Sequence, residues 1–462
     1  MRGTFARLFL SGSLLVCNAT NAEDLLTIFS LAEQNDQQYR AALANAEAGQ
    51  QLKGLRSAAL KPQVSAYYSY SQSDSDVTSE SPFPFDTDNN PATPDELVII
   101  SNALETEEKS TNWGVTVEQT LFSASAWQTA KQGKFEASAA TLAIEQAKQA
   151  LMMRVSQAYF AVLSADNNLA VAIAQNEADD WLLKQTQGRY DVGEVAYTDV
   201  HQAQAAFDIS RTQMLAAEAQ VENSRYALSV LTGQSHQAFS IIKEDFYPHS
   251  VAPNNHEHWQ NQATENSLEV AVARAEMQSS KAAAKSAKFA RLPSVSAQFD
   301  YFDTNADTSG ATFPDYSNTA NGSQITLSVS APLYLGGSLS AQKRSAHANY
   351  NASLERYKFA LRNSEQRALI AFNNLSVAVS QVLAQQQVLR SATSAADSIS
   401  AGYEAGINTI IDLVSARRTQ FAAKRDLGNA KIEYILNFLE LKHSTGNLQI
   451  SDINNINNLL AP

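Results

Sequence analysis

Two periods divide the chain between them. Over residues 63–71 apolar and polar side chains alternate, with Val64, Ala66, Tyr68 and Tyr70 facing one way and Ser65, Tyr67, Ser69 and Ser71 the other. A period of two is the mark of a strand with one apolar face. It returns at 111–121 (Trp113, Val115, Val117), at 293–302 (Val295, Ala297, Phe299, Tyr301) and at 323–332 (Ile325, Leu327, Val329). Elsewhere the pattern is helical. Leu25, Ile28, Phe29 and Ala32 form a stripe at the start of a helix over 23–58, which Pro62 stops. From 123 to 187 there is no proline, and Gly133 is the only glycine before Gly188. At ~1.5 Å per residue, a helix of about 65 residues runs about 95 Å, well beyond the ordinary globular helix. Its apolar positions are largely alanine, which suits close helix–helix packing of the coiled-coil kind. Further helices are expected at 197–231, 266–289, 338–400 (a second very long one) and 409–443. Residues 72–109 hold Pro82, Pro84, Pro91 and Pro94 and ten carboxylates against Lys109, and predict an exposed acidic loop. Residues 303–322 predict a second polar loop, 232–262 an irregular lateral segment, and the Asn-rich 447–462 an extended tail.

The pattern repeats. The string GRYDVGEVAYTD at 188–199 is answered by AGYEAGINTIID at 401–412, so that Tyr190, Gly193 and Asp199 correspond to Tyr403, Gly406 and Asp412 at a constant offset of 213 residues. Gly233 and Gly446 keep the same offset. Each string lies between two helical segments, with a glycine to end one and a carboxylate near the start of the next, where the helix dipole favours it. Each therefore reads as the tip of a helical hairpin, and the pair as a duplicated architecture. The resulting division is a signal peptide (1–22), a first repeat (23–234), an equatorial segment (235–262), a second repeat (263–446) and a C-terminal tail (447–462).

Charge and cysteine usage narrow the function. Thirty-four basic residues face 47 acidic ones, a net charge of −13 without a basic stripe, which argues against a nucleic-acid partner. Arg2 and Arg7, the apolar run from Leu8 to Val16, and the small residues before Glu23 read as a secretory signal. Its removal takes the single cysteine, Cys17, and leaves a net −15; Val16 before Cys17 speaks against a lipoprotein signal. No other segment has an apolar run near the ~18–20 residues of a membrane helix. Strands near ten residues with aromatic residues among their apolar positions instead suit a membrane β-barrel. Four strands cannot close one, and open edges are not tolerated in lipid. The barrel must be shared; three chains would supply twelve strands, with long helices reaching from one membrane face.

With these features in register, the chain resembles the TolC family of outer-membrane efflux ducts. The carriers are the two turn strings, Pro62 and Pro293 before the first and third strands, the PLYLGG exit at 332–337, and the two-half layout. The resemblance implies a mainly α fold with a β-barrel part: a homotrimer whose twelve-stranded barrel in outer-membrane lipid continues into an α-helical periplasmic barrel, with an equatorial belt built from 232–262 and the C-terminal end. It implies a passive duct for drugs, bile salts, dyes and proteins, opened by an iris-like movement of the helix tips. Its partners would be a periplasmic adaptor and an inner-membrane transporter of RND, ABC or MFS type. It implies gate residues Asp412, Tyr403, Thr198 and Asp199, with Asn408 in place of an inter-subunit arginine and Ser415 in place of a second aspartate. Gly193 and Gly406 match the glycines that admit the adaptor. No cofactor and no metal are expected, save a cation at an Asp412 ring.

Blander roles stand beside these. Asp199 and Asp412 serve equally as helix caps, Gly193 and Gly406 as turn formers, and Tyr190 and Tyr403 as packing residues. His256 and His258 are spaced too poorly, without a third ligand, for a metal site. No phosphate loop, nucleophile elbow or HExxH motif is present, so an enzyme is not expected. The rival to a duct is a periplasmic coiled-coil scaffold without a pore.

Overall fold

A computed structural model describes residues 23–84, 97–243, 245–310 and 314–461, so the predicted signal peptide lies outside the described residues. The chain divides into two compact units.

One unit comprises 49–138 and 275–355 and contains a four-stranded antiparallel sheet. Its strands are β1 (Gln63–Pro84), β2 (Leu97–Phe122), β4 (Ser294–Gly310) and β5 (Tyr316–Ser330), in the order β1-β2-β4-β5. The register aligns the four alternating stretches. Val64, Val117, Phe299 and Ile325 stand in one row across the sheet, and Ala66, Val115, Tyr301 and Ser323 in the next. Trp113 and Tyr301 touch on that face, with ring centroids 5.5 Å apart. Val64 to Tyr70, seven residues, span about 20 Å along the strand, close to the ~25 Å apolar band of a membrane barrel. Ile325, Leu327 and Val329 are 66–79% exposed in the single chain. On the opposite face Tyr67 lies over Gly114, where a Cβ would come within 2.7 Å of its hydroxyl, and Phe302 lies over Gly322. These aromatics cover backbone that glycine leaves bare.

The strands are much longer than the alternation predicts. Residues expected as loops over 72–109 pair from Gln72–Lys109 out to Pro84–Leu97, and those over 303–322 pair from Asp303–Asn321 out to Thr308–Tyr316. Cross-strand pairing needs only the backbone, so a ribbon rich in Ser, Thr and carboxylates extends beyond the apolar band. Pro82 and Pro84 are tolerated because β1 is an edge strand within the chain.

The other unit comprises 23–48 of the described residues, 139–274 and 356–461. The first helix is broken in two, α1 (Leu25–Asn35) and α2 (Gln37–Ser57), because Asp36 turns away from helical geometry and caps the second by accepting from Tyr39 N–H at 2.6 Å. The long helices are α3 (Ala124–Asp191, 68 residues) and α7 (Ser338–Glu404, 67 residues), whose first turns belong to the sheet unit. Their shorter partners are α4 (Tyr197–Thr232) and α8 (Ile410–Ser444). Against the sequence expectation, α7 includes a stretch apolar enough by length and composition to cross a membrane. Its Ala371, Phe372, Leu375, Ala378 and Val382 lie in the main core, while Ile370, Val377 and Leu383 of the same stretch are exposed in the single chain.

That core joins α1, α3, α4, α7 and α8 to the irregular segment and the C-terminal end. Tyr159 and Phe160 of α3 are fully buried; the Tyr159 hydroxyl donates to Ser240 O at 2.9 Å. The segment 235–262 contains β3 (Ile241–Ile242) and leads into α5 (His256–Asn266) and α6 (Leu268–Phe289). The expected extended tail is instead helix α9 (Ile450–Asn457) followed by β6 (Leu460–Ala461), which pairs with β3. Ile453 and Ile456 bury the inner face of α9, a Gln449–Asp452 capping box starts it, and Asn457 bonds Asp24 and Leu25 N–H.

Candidate functional site: the paired helical turns

The two turn strings fold alike. Gly193 (φ 80°) donates to Tyr190 O at 2.9 Å, and Glu194 N–H to Arg189 O at 2.9 Å. Gly406 (φ 72°) donates to Tyr403 O at 3.1 Å, and Ile407 N–H to Gly402 O at 2.8 Å. Both are Schellman closures, in which a left-handed residue satisfies the last carbonyls of a helix. A Cβ on either glycine would meet nothing within 4 Å, so the conformation demands glycine and the space around it is open.

The helices that follow begin differently. α4 starts after Ala196, which offers no side-chain cap; Thr198 is exposed and Asp199 half-buried in its first turn. α8 starts with a capping box. Thr409 Oγ1 accepts from Asp412 N–H at 3.3 Å, while Thr409 N–H and Oγ1 donate to Asp412 Oδ2 at 3.0 and 2.6 Å. The Thr409 hydroxyl first, and its N–H second, hold the Asp412 carboxyl below its ordinary value. Asp412 is exposed and so is Ser415. A threonine three residues before an acid, as Thr409 stands before Asp412, is the sequence signal for this cap.

Tyr403 and Tyr190 occupy equivalent positions in sequence but not in burial. Tyr403 is 6% exposed, in a small cluster with Leu182, Ala203, Ile410 and Leu413, whereas Tyr190 is 38% exposed and lies against Tyr197, centroids 5.3 Å apart. The Tyr403 hydroxyl is buried without a hydrogen-bond partner, so it makes no bond to Thr198 or Asp199 within this chain. What lies over its ring is the guanidinium of Arg189, 5.2 Å from the centroid, itself paired with Glu194 at 3.2 Å. Asn408 is half-buried; its Nδ2 reaches Ile399 O at 3.4 Å and sits where a Cβ on Gly402 would be, 2.7 Å away. His256 and His258 are exposed in the first turn of α5, and among the described residues no group of acids, histidines or cysteines gathers around a metal-sized space.

The family model of the outer membrane efflux protein matches residues 28–234 and 259–447, both halves of the duplication. The chain belongs to this family. It is therefore an outer-membrane protein of a family made of transport channels. The channel is 28% identical over 457 residues to the outer membrane protein TolC of Vibrio cholerae, covering 97% of each. It is 24% identical to the alkaline protease secretion protein AprF of Pseudomonas aeruginosa, covering 98% of this chain and 90% of that one. Among solved structures, the Campylobacter jejuni CmeC outer membrane channel superposes with a TM-score of 0.73 at 17% identity, covering 99% of this chain and 97% of that one. VceC of Vibrio cholerae gives 0.71 at 16% identity, covering 91% and 96%.

Proposed function

We propose that three copies of this chain form a passive duct through the outer membrane and across the periplasm. The observation that carries the reading is the sheet: four strands with one aligned apolar face and two unpaired edges, β1 and β5. In lipid such edges must be paired, and edge-to-edge joining of three chains gives a twelve-stranded barrel. The 68- and 67-residue helices would form the periplasmic barrel. The duct takes its cargo from an inner-membrane transporter of RND, ABC or MFS type through a periplasmic adaptor, which docks where Gly193 and Gly406 leave the tips open. Relatives named for protease secretion and for pyoverdine export support both protein and small-molecule cargo.

The gate is placed at the turns and opens by an iris-like shift of one hairpin. Asp412 of three copies forms a carboxylate ring; Thr409 favours the charged form within one chain, while the neighbouring carboxylates oppose it unless some protonate or a cation sits between them. Three like charges around an axis attract a cation. With Ser415 in place of a second acid, block by divalent cations is weaker than two rings would give, and Asn408 leaves the closed state looser than an arginine would. Purified protein should migrate as a heat-modifiable trimer from outer-membrane fractions and conduct in planar bilayers. Asp412→Ala should relieve divalent-cation block, and Asn408→Arg should lower closed-state conductance. A non-conducting monomer or dimer would support the coiled-coil scaffold instead, and unchanged block in Asp412→Ala would remove Asp412 from the gate.

A further inference from the structure

Arg189 has no role in the reading above, yet it bridges the two turns. It leaves the last turn of α3, is anchored by Glu194 at 3.2 Å, and lays its guanidinium 5.2 Å from the centroid of Tyr403, which belongs to α7. Its side chain is 27% exposed, while that of Glu194 is 60% exposed, so the pair is half-buried at the surface of the turns. The Tyr403 hydroxyl contributes no hydrogen bond in this chain, although it is buried. What secures Tyr403 is therefore its ring, packed with Leu182, Ala203, Ile410 and Leu413 and overlain by a cation. Asn408 bonds back to Ile399 of α7 and Asp412 to Thr409, so neither reaches the α3–α4 turn; further along α8, Arg417 reaches Ala178 O at 3.5 Å and lies over the Trp181 ring at 5.9 Å.

We propose that Arg189 is a positioning residue for the closed duct: through the face of the Tyr403 ring it latches the α3–α4 turn to the α7–α8 turn within each subunit. The latch is an electrostatic contact between a cation and an aromatic quadrupole, and Glu194 aims the cation. The inference rests on the gate reading given under Proposed function. It differs from any bond made by the tyrosine hydroxyl, because it needs the ring and the charge and not the oxygen.

The test uses the full-length protein in planar bilayers, with closed-state conductance as the readout. Arg189→Met keeps a long apolar side chain and removes the charge; it should raise the fraction of time spent conducting by about two- to five-fold, the range that an exposed to half-buried cation–aromatic contact implies. Arg189→Lys should recover part of the closure, since an ammonium also binds the ring but does not stack on it. Tyr403→Leu should raise conductance more than Tyr403→Phe, and adding Arg189→Met to Tyr403→Leu should change nothing further. Glu194→Gln, which leaves both latch partners in place, should give a smaller rise in the same direction and covers the case in which Arg189→Met fails to assemble. If wild-type protein conducts and Asp412→Ala alters cation block, yet Arg189→Met closes like wild type or adds its full effect to Tyr403→Leu, the latch is wrong and the gate stands. If wild-type trimers do not conduct at all, the gate reading falls first.

Discussion

Gly233 and Gly446 occupy the same place in the two repeats, one after α4 and one after α8, and the structure predicts that they differ sharply when mutated. Both have left-handed backbone, φ 77° and 72°. An alanine in that region costs about 1–2 kcal/mol, and this term is common to both sites. The surroundings are not. A Cβ on Gly233 would lie 3.5 Å from Asn35 Cβ, an ordinary contact. A Cβ on Gly446 would lie 2.3 Å from the carbonyl oxygen of Asn266 and 2.9 Å from Ser267 Cα. Those are backbone atoms at the junction of α5 and α6, where Ser267 is 5% exposed and its N–H already bonds Ala263 O at 3.1 Å, so they cannot swing aside as a side chain would. Overpacking of this kind adds about 1–3 kcal/mol, which brings Gly446→Ala to about 2–5 kcal/mol against about 1–2 for Gly233→Ala. The assay is thermal unfolding of the detergent-purified proteins by far-ultraviolet circular dichroism at one heating rate, because irreversible unfolding makes only matched scans comparable. Gly446→Ala should unfold at clearly lower temperature than Gly233→Ala, which in turn should fall slightly below wild type. Equal losses at the two sites would refute the reasoning, since they would mean that the α5–α6 junction yields to a methyl group at no cost.

The remaining predictions concern two buried carboxylates. Asp36 accepts from Tyr39 N–H and from both terminal nitrogens of Arg154, at 2.9 and 3.1 Å. Asp36→Ala strands Arg154 and uncaps α2, a loss of about 3 kcal/mol, at the low end for a broken buried pair because Arg154 is 29% exposed. Asp36→Asn keeps the cap and should lose less; equal losses in a melt would show that the cap contributes nothing beyond the ion pair. Asp179 on α3 is 2% exposed, with Oδ2 unpartnered, and burial raises its pKa above the ordinary carboxylate value although Ser210, Arg418, Gln175 and Arg417 draw it back down. A raised folded-state value means that folding favours the protonated acid, so its contribution is fully present below the ordinary value and is lost as pH rises through the raised one. Asp179→Asn should therefore match or exceed wild-type thermal stability at pH 7, and the advantage should vanish near pH 4. A less stable Asp179→Asn at pH 7 would show instead that the arginines more than offset the desolvation.

How much of this was legible in the sequence depends on which physics each element uses. The long helices were readable because an alanine-rich stretch without proline has no competing conformation, and the turns because left-handed closures require glycine at fixed places. The apolar ends of the strands were readable from their alternation. The outer halves of β1 and β2 were not: once a strand leaves the apolar band its side chains lose the period, while its backbone ladder continues. The terminal helix α9 did carry a signal, Ile450, Ile453 and Ile456 at three-residue spacing, which the surrounding asparagines obscured. In the candidate site, the cap at Asp412 was a local matter and was anticipated as an alternative. The burial of Tyr403 but not Tyr190 was not, because the two turn strings are nearly alike and the difference arises from the neighbours that α4 and α8 bring against them.

The same asymmetry bears on how such a gate can move. The larger core ties α1, α3, α4, α7 and α8 to the 235–262 segment and to α9, with Tyr159, Phe160, Leu228 and Leu439 among its fully buried members. At the turns, the buried apolar contact between the hairpins is small, with Leu182 and Ala203 on one side and Tyr403, Ile410 and Leu413 on the other, and with Arg189 over Tyr403 and Arg417 over Trp181 beside it. Laying bare a large apolar side chain costs about 1.5–3 kcal/mol. Four of them would reach about 10 kcal/mol only if each lost every contact, and each keeps those within its own hairpin. The separation therefore lies within reach of a partner of micromolar affinity, about 8 kcal/mol of binding free energy, provided that partner favours the parted state. Parting the hairpins at the larger core would lay bare many more such side chains. Separation of the hairpins is therefore less costly at the turns, where it would break the Arg189–Tyr403 contact, than at the larger core.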